Sequence, residues 1–354
     1  MKQTVYLLTG AAGNLGSSIS RELIAQGRNV RALVLKDDPA EERVPPEVEI
    51  VTGDLMDADS LEKFFSVHEE TETIVIHCAS IVTVSEEYDQ DVYAVNVFGT
   101  RNIIEKCIEH KVKKLVYISS TSAIPELPNG QPITEVNEFR AEAVIGFYGK
   151  TKAIATQLVL DAVRKNDLDA SIVFPTGICG PNDYAYGYAT RFIIDCVNGK
   201  LPAGIAGSFN SVDVRDLAAG VIACCEKGRK GEGYIMSNSN VTIREMFKLI
   251  SSLTETPEVK LILPIPVAKV LAVVAGIAAK ITGKPAALTG FAIYNLARNN
   301  NFSSKKAELE LGYTVRPFEQ TITDAVEWLR AEHRIKPVHT PQEAPLYTPR
   351  HITA

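Results

Sequence analysis

Tyr148 and Lys152 stand four residues apart in Tyr148-Gly149-Lys150-Thr151-Lys152, and residues with that spacing share one face of a helix. A phenol with an ordinary pKa of about 10 is a poor acid or base near neutrality, so a tyrosine that moves protons needs a nearby cation to stabilise its phenolate. Lys152 can supply that charge. A third group has to hold the oxygen that gains or loses the proton. The run Leu115-Val116-Tyr117-Ile118-Ser119-Ser120-Thr121-Ser122 reads as a buried strand ending in hydroxyls, at the edge where open parallel sheets bind ligands. Ser120 is the candidate and Thr121 and Ser122 are the alternatives, since hydroxyls in turns also satisfy local backbone groups. Together these side chains fit proton transfer to or from a carbonyl or hydroxyl oxygen.

Such a group needs a rigid frame, and the start of the chain supplies its signature. Thr4-Val5-Tyr6-Leu7-Leu8-Thr9 reads as a buried strand, and Leu15, Ile19, Leu23 and Ile24 form one helical stripe. Between them lies Thr9-Gly10-Ala11-Ala12-Gly13-Asn14-Leu15-Gly16. Strand, glycine turn and helix is the context in which the backbone turns sharply and a pyrophosphate approaches the helix N-terminus. Gly10, Gly13, Asn14, Leu15 and Gly16 are therefore candidate contacts for a dinucleotide. Further strands are expected near 49–51, 74–77, 114–119 and 170–174, with helices at 60–67, 92–110 and 148–164. The pattern implies an α/β fold, a doubly wound parallel (Rossmann) sheet with a smaller C-terminal substrate-binding lobe. The dinucleotide domain should span 1–176 with a returning segment at about 211–240, and the lobe about 177–210 and 241–332. Residues 333–354 read as a loose tail.

Cofactor choice turns on the end of the second strand. An acidic residue there would bind the ribose hydroxyl of NAD, whereas a cation pairs with the extra phosphate of NADP. Val34 and Leu35 are followed by Lys36, which favours NADP, although Asp37 and Asp38 come directly afterwards. The 354 residues are 45% hydrophobic with a net charge of -6. No cluster of excess Lys and Arg points to a nucleic-acid partner. Six scattered cysteines, without metal-type Cys/His spacing, imply no metal site and suit a reducing compartment. With no leader-like segment at the start, a cytoplasmic location is expected. The segment 264–283 is apolar nearly all round, yet its uncharged core between Lys269 and Lys280 is too short to span a bilayer. It is expected to form core or pocket wall, with contact to a membrane surface as the alternative.

These features together resemble the extended short-chain dehydrogenase/reductase family. Besides the glycine turn and the YxxxK pair, the matches are Gly53-Asp54-Leu55, His77-Cys78-Ala79-Ser80, Asn96-Val97-Phe98-Gly99-Thr100, Ser119-Ser120 and Pro175-Thr176-Gly177-Ile178-Cys179-Gly180-Pro181. They cover the chain to about residue 330. The stretch Asn301-Phe302-Ser303-Ser304-Lys305-Lys306-Ala307 and the later Leu311-Gly312-Tyr313 look most like the dihydroflavonol reductase and 3β-hydroxysteroid dehydrogenase branch. Nucleotide-sugar epimerases and dehydratases share many of the same motifs. The resemblance implies a Ser120–Tyr148–Lys152 triad, with Lys152 holding the nicotinamide ribose and lowering the tyrosine pKa. It also implies cofactor contacts at Asp54 (to adenine), Leu55, Cys78, Ala79, Ser80, Asn96, Pro175, Gly177 and Ile178. His77 is read as a buried strand-end histidine. A homodimer formed through helices 92–110 and 148–164 is the family expectation. An arginine often precedes the proline of the PTGxxGP stretch in this family, but Phe174 stands there, which removes whatever role that arginine plays. A fairly hydrophobic ketone or secondary alcohol, possessing a ring skeleton, is the expected substrate.

Overall fold

Runs of β-branched and aromatic residues alternate with amphipathic stretches, and that pattern builds a parallel sheet covered on both faces. The computed structural model describes residues 3–282 and 288–335. Its strands are β1 (Thr4–Thr9), β2 (Asn29–Val34), β3 (Glu49–Thr52), β4 (Glu72–His77), β5 (Lys114–Ile118), β6 (Ala170–Pro175), β7 (Gly177–Cys179), β8 (Gly204–Ile205), β9 (Ser208–Asp213), β10 (Gly233–Met236), β11 (Ser239–Thr242) and β12 (Ile262–Leu263). Seven of them form one parallel sheet in the order β10-β6-β5-β4-β1-β2-β3. The order reverses around β1, whose neighbours are β2 and β4, and a ligand crevice forms at such a switch point. Successive side chains of a strand serve opposite layers. Leu7, Val75, Leu115 and Ile172 pack on one side, and Tyr6, Leu8, Ile76, Val116 and Val173 on the other.

The helices are α1 (Asn14–Ala25), α2 (Glu62–Phe65), α3 (Gln90–Tyr93), α4 (Thr100–Glu109), α5 (Phe147–Asn166), α6 (Tyr188–Val197), α7 (Val214–Lys227), α8 (Ile243–Thr254), α9 (Ile265–Thr282), α10 (Gly290–Ala297), α11 (Lys305–Leu311) and α12 (Phe318–Ala331). The single helix expected at 92–110 is instead α3, a π-helical turn at Ala94–Gly99, and α4. A wide turn of this kind tends to mark a functional position, and Asn96 sits within it. The first part of the expected lobe, from Gly177 onward, contains β7, β8, the start of β9 and α6. The lobe is stitched to the sheet domain by charge. Arg215 grips the fully buried Asp213 through Nε at 2.9 Å and Nη2 at 2.7 Å and reaches Asp324 at 2.6 Å, while Arg316 pairs with Asp216 at 2.8 Å. Phe174 is buried and stacks on Phe139 with ring centroids 5.4 Å apart, so an apolar contact holds the place an arginine often takes.

Helix α9 overturns the expectation of a core helix. Its buried side is small, formed by Ala268 and Ala272 packed with Ile293. Its large side chains face outward, with Val270 65% and Val273 64% exposed, and Val267, Leu271, Val274 and Ile277 likewise on the surface. Small residues on that side let α9 and α10 approach closely. Gly283 and the side chains of Lys280 and Ile281 lie outside the described residues, as does the expected tail from 336 onward. Among the described residues, no helix is long and apolar enough to cross a membrane. All six cysteines are free.

Candidate active site

The glycine turn is held by steric demand. Gly10 has φ +72°, and a Cβ there would lie 2.8 Å from the Ala79 nitrogen. The loop after β4 thus runs hard against the turn after β1. A Cβ on Gly16 would sit 2.0 Å from the Gly10 carbonyl oxygen, so that glycine lets α1 close onto the turn. Helix α1 begins after Gly13 with no side-chain cap and no acidic residue in its first turn. Its first amides are left facing the turn, which favours an anion. Asn14 Oδ1 is a buried acceptor with no protein partner. A cleft of about 440 Å³ opens here, lined by Gly10, Gly13, Asp54, Leu55, Cys78, Ala79 and Ser80 among others. These residues suit a dinucleotide: an amide-rich pocket for the pyrophosphate and an apolar bed beside it.

Other sequence candidates stand elsewhere. Leu15 is buried in the core and Gly16 is a packing glycine. Asn96 is fully committed within the protein, accepting from the Ile81 amide at 2.8 Å and donating to the Ile81 carbonyl at 2.9 Å and to Thr151 Oγ1 at 3.1 Å. It is a positioning residue that ties the loop after β4 to α5. Pro175 ends β6, and its carbonyl accepts from Thr121 Oγ1 at 3.2 Å; Gly177 and Ile178 lie in β7. Lys36 is exposed and does not line the cleft, whereas Asp38 and Arg43 do. The chain turns directly after β2, where Asp38 caps the short 3-10 helix Pro39–Arg43 by accepting from the Ala40 amide at 2.9 Å. That turn swings Arg43 back to the cleft and under the Tyr184 ring, 5.4 Å from its centroid. The Asp-Pro pair at 38–39 was the available signal, since it opens a helical turn.

The catalytic candidates meet at the end of β5. Ser120 caps the turn Thr121–Ala123, with the Ser122 amide donating to its Oγ at 3.1 Å. Thr121 is occupied with the Pro175 carbonyl, and Ser119 shares a 2.6 Å hydrogen bond with Thr156. Helix α5 packs on this turn through Gly149, where a Cβ would come within 2.6 Å of the Ser122 carbonyl oxygen. The Tyr148 hydroxyl lies beside the side chains of Ser120 and Ser80. One turn along, Lys152 is 1% exposed. Its Nζ donates to the Ile118 carbonyl at 2.6 Å and lies 4.6 Å from the centre of the Tyr117 ring. Burial drives the Lys152 pKa down to about 7, with the nearby Cys78 thiol pulling the other way. Burial pushes Tyr148 up to about 12, and the neighbouring Ser120 and Ser80 hydroxyls offset part of the rise. The expectation that Lys152 depresses the tyrosine is therefore not met in this arrangement, because the ammonium is engaged by the Ile118 carbonyl and itself tends to lose its charge. His77 is buried, bonded through Nδ1 to Thr9 and through Nε2 to Thr100. Burial holds its pKa near 3, so it is neutral and structural.

The lobe reaches this site through α10. Gly146 has φ +86°, and a Cβ there would lie 2.2 Å from the Phe291 ring. Tyr294 donates to Glu126 at 2.6 Å. Around Tyr148 the surface is apolar and aromatic: Ile81, Val82 and Ile145 are exposed, and Tyr88 packs edge-on against Phe147. The surface group Glu62, Glu109 and His110 has ligand atoms close together, but Lys106 already bonds to both carboxylates.

A parallel sheet reversing at β1, a glycine turn feeding an uncapped helix, and hydroxyls with a lysine at the strand ends define the dinucleotide-binding oxidoreductase class. Residues 6–237 match the model of the NAD dependent epimerase/dehydratase family, and the chain belongs to that family. Its members are NAD-dependent enzymes by that description. The chain is 31% identical over 261 residues to "Sterol demethylase protein B" of Methylococcus capsulatus, covering 73% of this chain and 77% of that one. It is 26% identical over 329 residues to the 4-hydroxy-2-methyl-3-oxo-4-farnesyl-3,4-dihydroquinoline-1-oxide ketoreductase of Stigmatella aurantiaca, covering 90% and 94%. Among solved structures, that titled gox2253 superposes with a TM-score of 0.82 at 30% identity, over 95% of this chain and all of that one.

Proposed function

We propose that this protein reduces a ketone, or oxidises the matching secondary alcohol, on a fairly hydrophobic, ring-bearing substrate, with Ser120, Tyr148 and Lys152 as its catalytic residues and NADP as its preferred cofactor. The observation that carries the reading is α5 packed through Gly149 on the turn that holds Ser120, which sets Tyr148 beside that serine one helical turn from a buried lysine. When bound, the nicotinamide supplies or accepts the hydride. Every proton step belongs to the chain. With its pKa near 12, Tyr148 carries its proton at neutral pH and can donate it to a carbonyl oxygen as negative charge develops there. Ser120 holds that oxygen, and Lys152, titrating near neutrality, restores the tyrosine proton. In the oxidative direction the same groups run in reverse.

The apolar surroundings of Tyr148 support a hydrophobic skeleton, and the Stigmatella relative bears the name of a ketoreductase acting on a farnesylated ring compound. For cofactor choice, Arg43 takes over the part assigned to Lys36, because it is the cation beside the cleft. The test follows NADPH and NADH absorbance at 340 nm against ring ketones, steroids and UDP-sugars. Oxidation of NADPH by an apolar ketone, lost in Tyr148→Phe, supports the reading; conversion of a UDP-sugar with no net cofactor change would replace it with an epimerase. An Arg43→Ala variant should raise the KM for NADPH about tenfold or more and leave that for NADH nearly unchanged.

A further inference from the structure

From the exposed face of α9 we infer that this protein docks on the surface of an anionic phospholipid bilayer. The helix sorts its residues backwards for a soluble surface: Ala268 and Ala272 are buried, while Val267, Val270, Leu271, Val273, Val274 and Ile277 face out. At 100° per residue these six cover an arc of about 160°, opposite the two alanines. Contiguous apolar faces of this kind mark an interaction surface.

Charge selects the occupant. From residue 259 to 307 the sequence has no Asp or Glu, although the whole chain carries -6, and Lys260, Lys269, Lys280 and Lys284 fall in and beside the helix. Lys260 and Lys269 are exposed. Lysines beside a large apolar face suit a helix lying in the headgroup layer of an anionic membrane. A second copy paired through the same face would bring lysine toward lysine, and the segment itself holds no carboxylate to answer it. Docking would also place the catalytic mouth near the lipid, since α10, packed on α9, presses Phe291 against Gly146 two residues before Tyr148. The inference stands apart from the reductase reading, because it is tested by binding rather than turnover.

The experiment is co-sedimentation of the full-length protein with phosphatidylcholine vesicles and with vesicles containing phosphatidylglycerol. Binding at least tenfold stronger to the anionic vesicles is expected, falling as salt rises. A Val270→Asp/Val274→Asp variant should lose at least tenfold of it with an unchanged circular dichroism spectrum, since both side chains are already in solvent. Lys269→Glu should weaken binding about fivefold or more. No binding, or equal binding to both vesicles, overturns the inference. So does a wild-type dimer that the aspartate variant splits and that ignores vesicles. Ketone turnover measured without vesicles reads the enzymatic proposal on its own.

Discussion

Helices α5 and α9 are of similar length, 20 and 18 residues, and each breaks the ordinary sorting of side chains in the opposite sense. Helix α5 buries a lysine; α9 exposes valines and a leucine. Both use small residues to pack, Gly149 and Ala153 on one and Ala268 and Ala272 on the other. On α5 the close approach brings Tyr148 and Lys152 against the hydroxyls at the end of β5, and the unfavourable burial of an amine leaves it titratable near neutrality. On α9 the close approach is all the fold takes, and the large side chains are left over. A buried charge without a carboxylate and an apolar face without a protein cover are both costly, and such departures from consistency are where function is to be sought.

The comparison can be broken at either helix. Tyr148→Phe should cut ketone turnover by about 10²–10⁴-fold while leaving dinucleotide affinity nearly intact, as measured by steady-state kinetics and fluorescence titration. Equal loss of binding would show that the hydroxyl is structural. Gly149→Ala drives a methyl against the Ser122 carbonyl and should cost about 1–3 kcal/mol in denaturant unfolding, with activity falling as α5 moves off the Ser120 turn.

Lys152→Met sharpens the electrostatic side. The unfolded lysine keeps its proton up to the ordinary 10.5, whereas the folded one loses it above about 7. Below that pH the folded state bears the full penalty of a buried ammonium; between the two values the unfolded state binds more protons, so wild-type stability rises with pH. The melting temperature of the methionine variant minus that of the wild type should therefore be largest near neutrality and shrink toward pH 10. A difference that does not vary with pH would mean the ammonium is solvated. The smallest effect is expected on α9, where Val270→Ser/Val274→Ser should change unfolding free energy by no more than about 0.5 kcal/mol per site. A larger loss would show that the face is covered within the chain.

The sheet was readable because buried parallel strands are short, β-branched and bounded by turns. Strands β1 to β6 lie within two residues of the positions expected from the sequence. Tyr148, Lys152 and Ser120 could be chosen from spacing and strand ends alone. Periodicity could not reveal which side of α9 faces out, because a helix apolar all round has no polar stripe to orient it. Arg43 escaped because it reaches the cleft only after the chain folds back through the turn begun by Asp38. Asn96 was read as a ligand contact, yet its amide is spent on Ile81 and Thr151; a motif gives a residue type and not the direction of its side chain.

One contact bears on time rather than affinity. Arg43, from the segment after β2, lies under Tyr184 of the lobe, and Ala185 beside it lines the cleft. On the proposed cofactor reading, a dinucleotide with its adenosine end beside Arg43 would have to part that pair to leave. The residence time of the cofactor would then depend in part on a cation–aromatic contact supplied by the lobe, separate from the groups proposed to handle the proton.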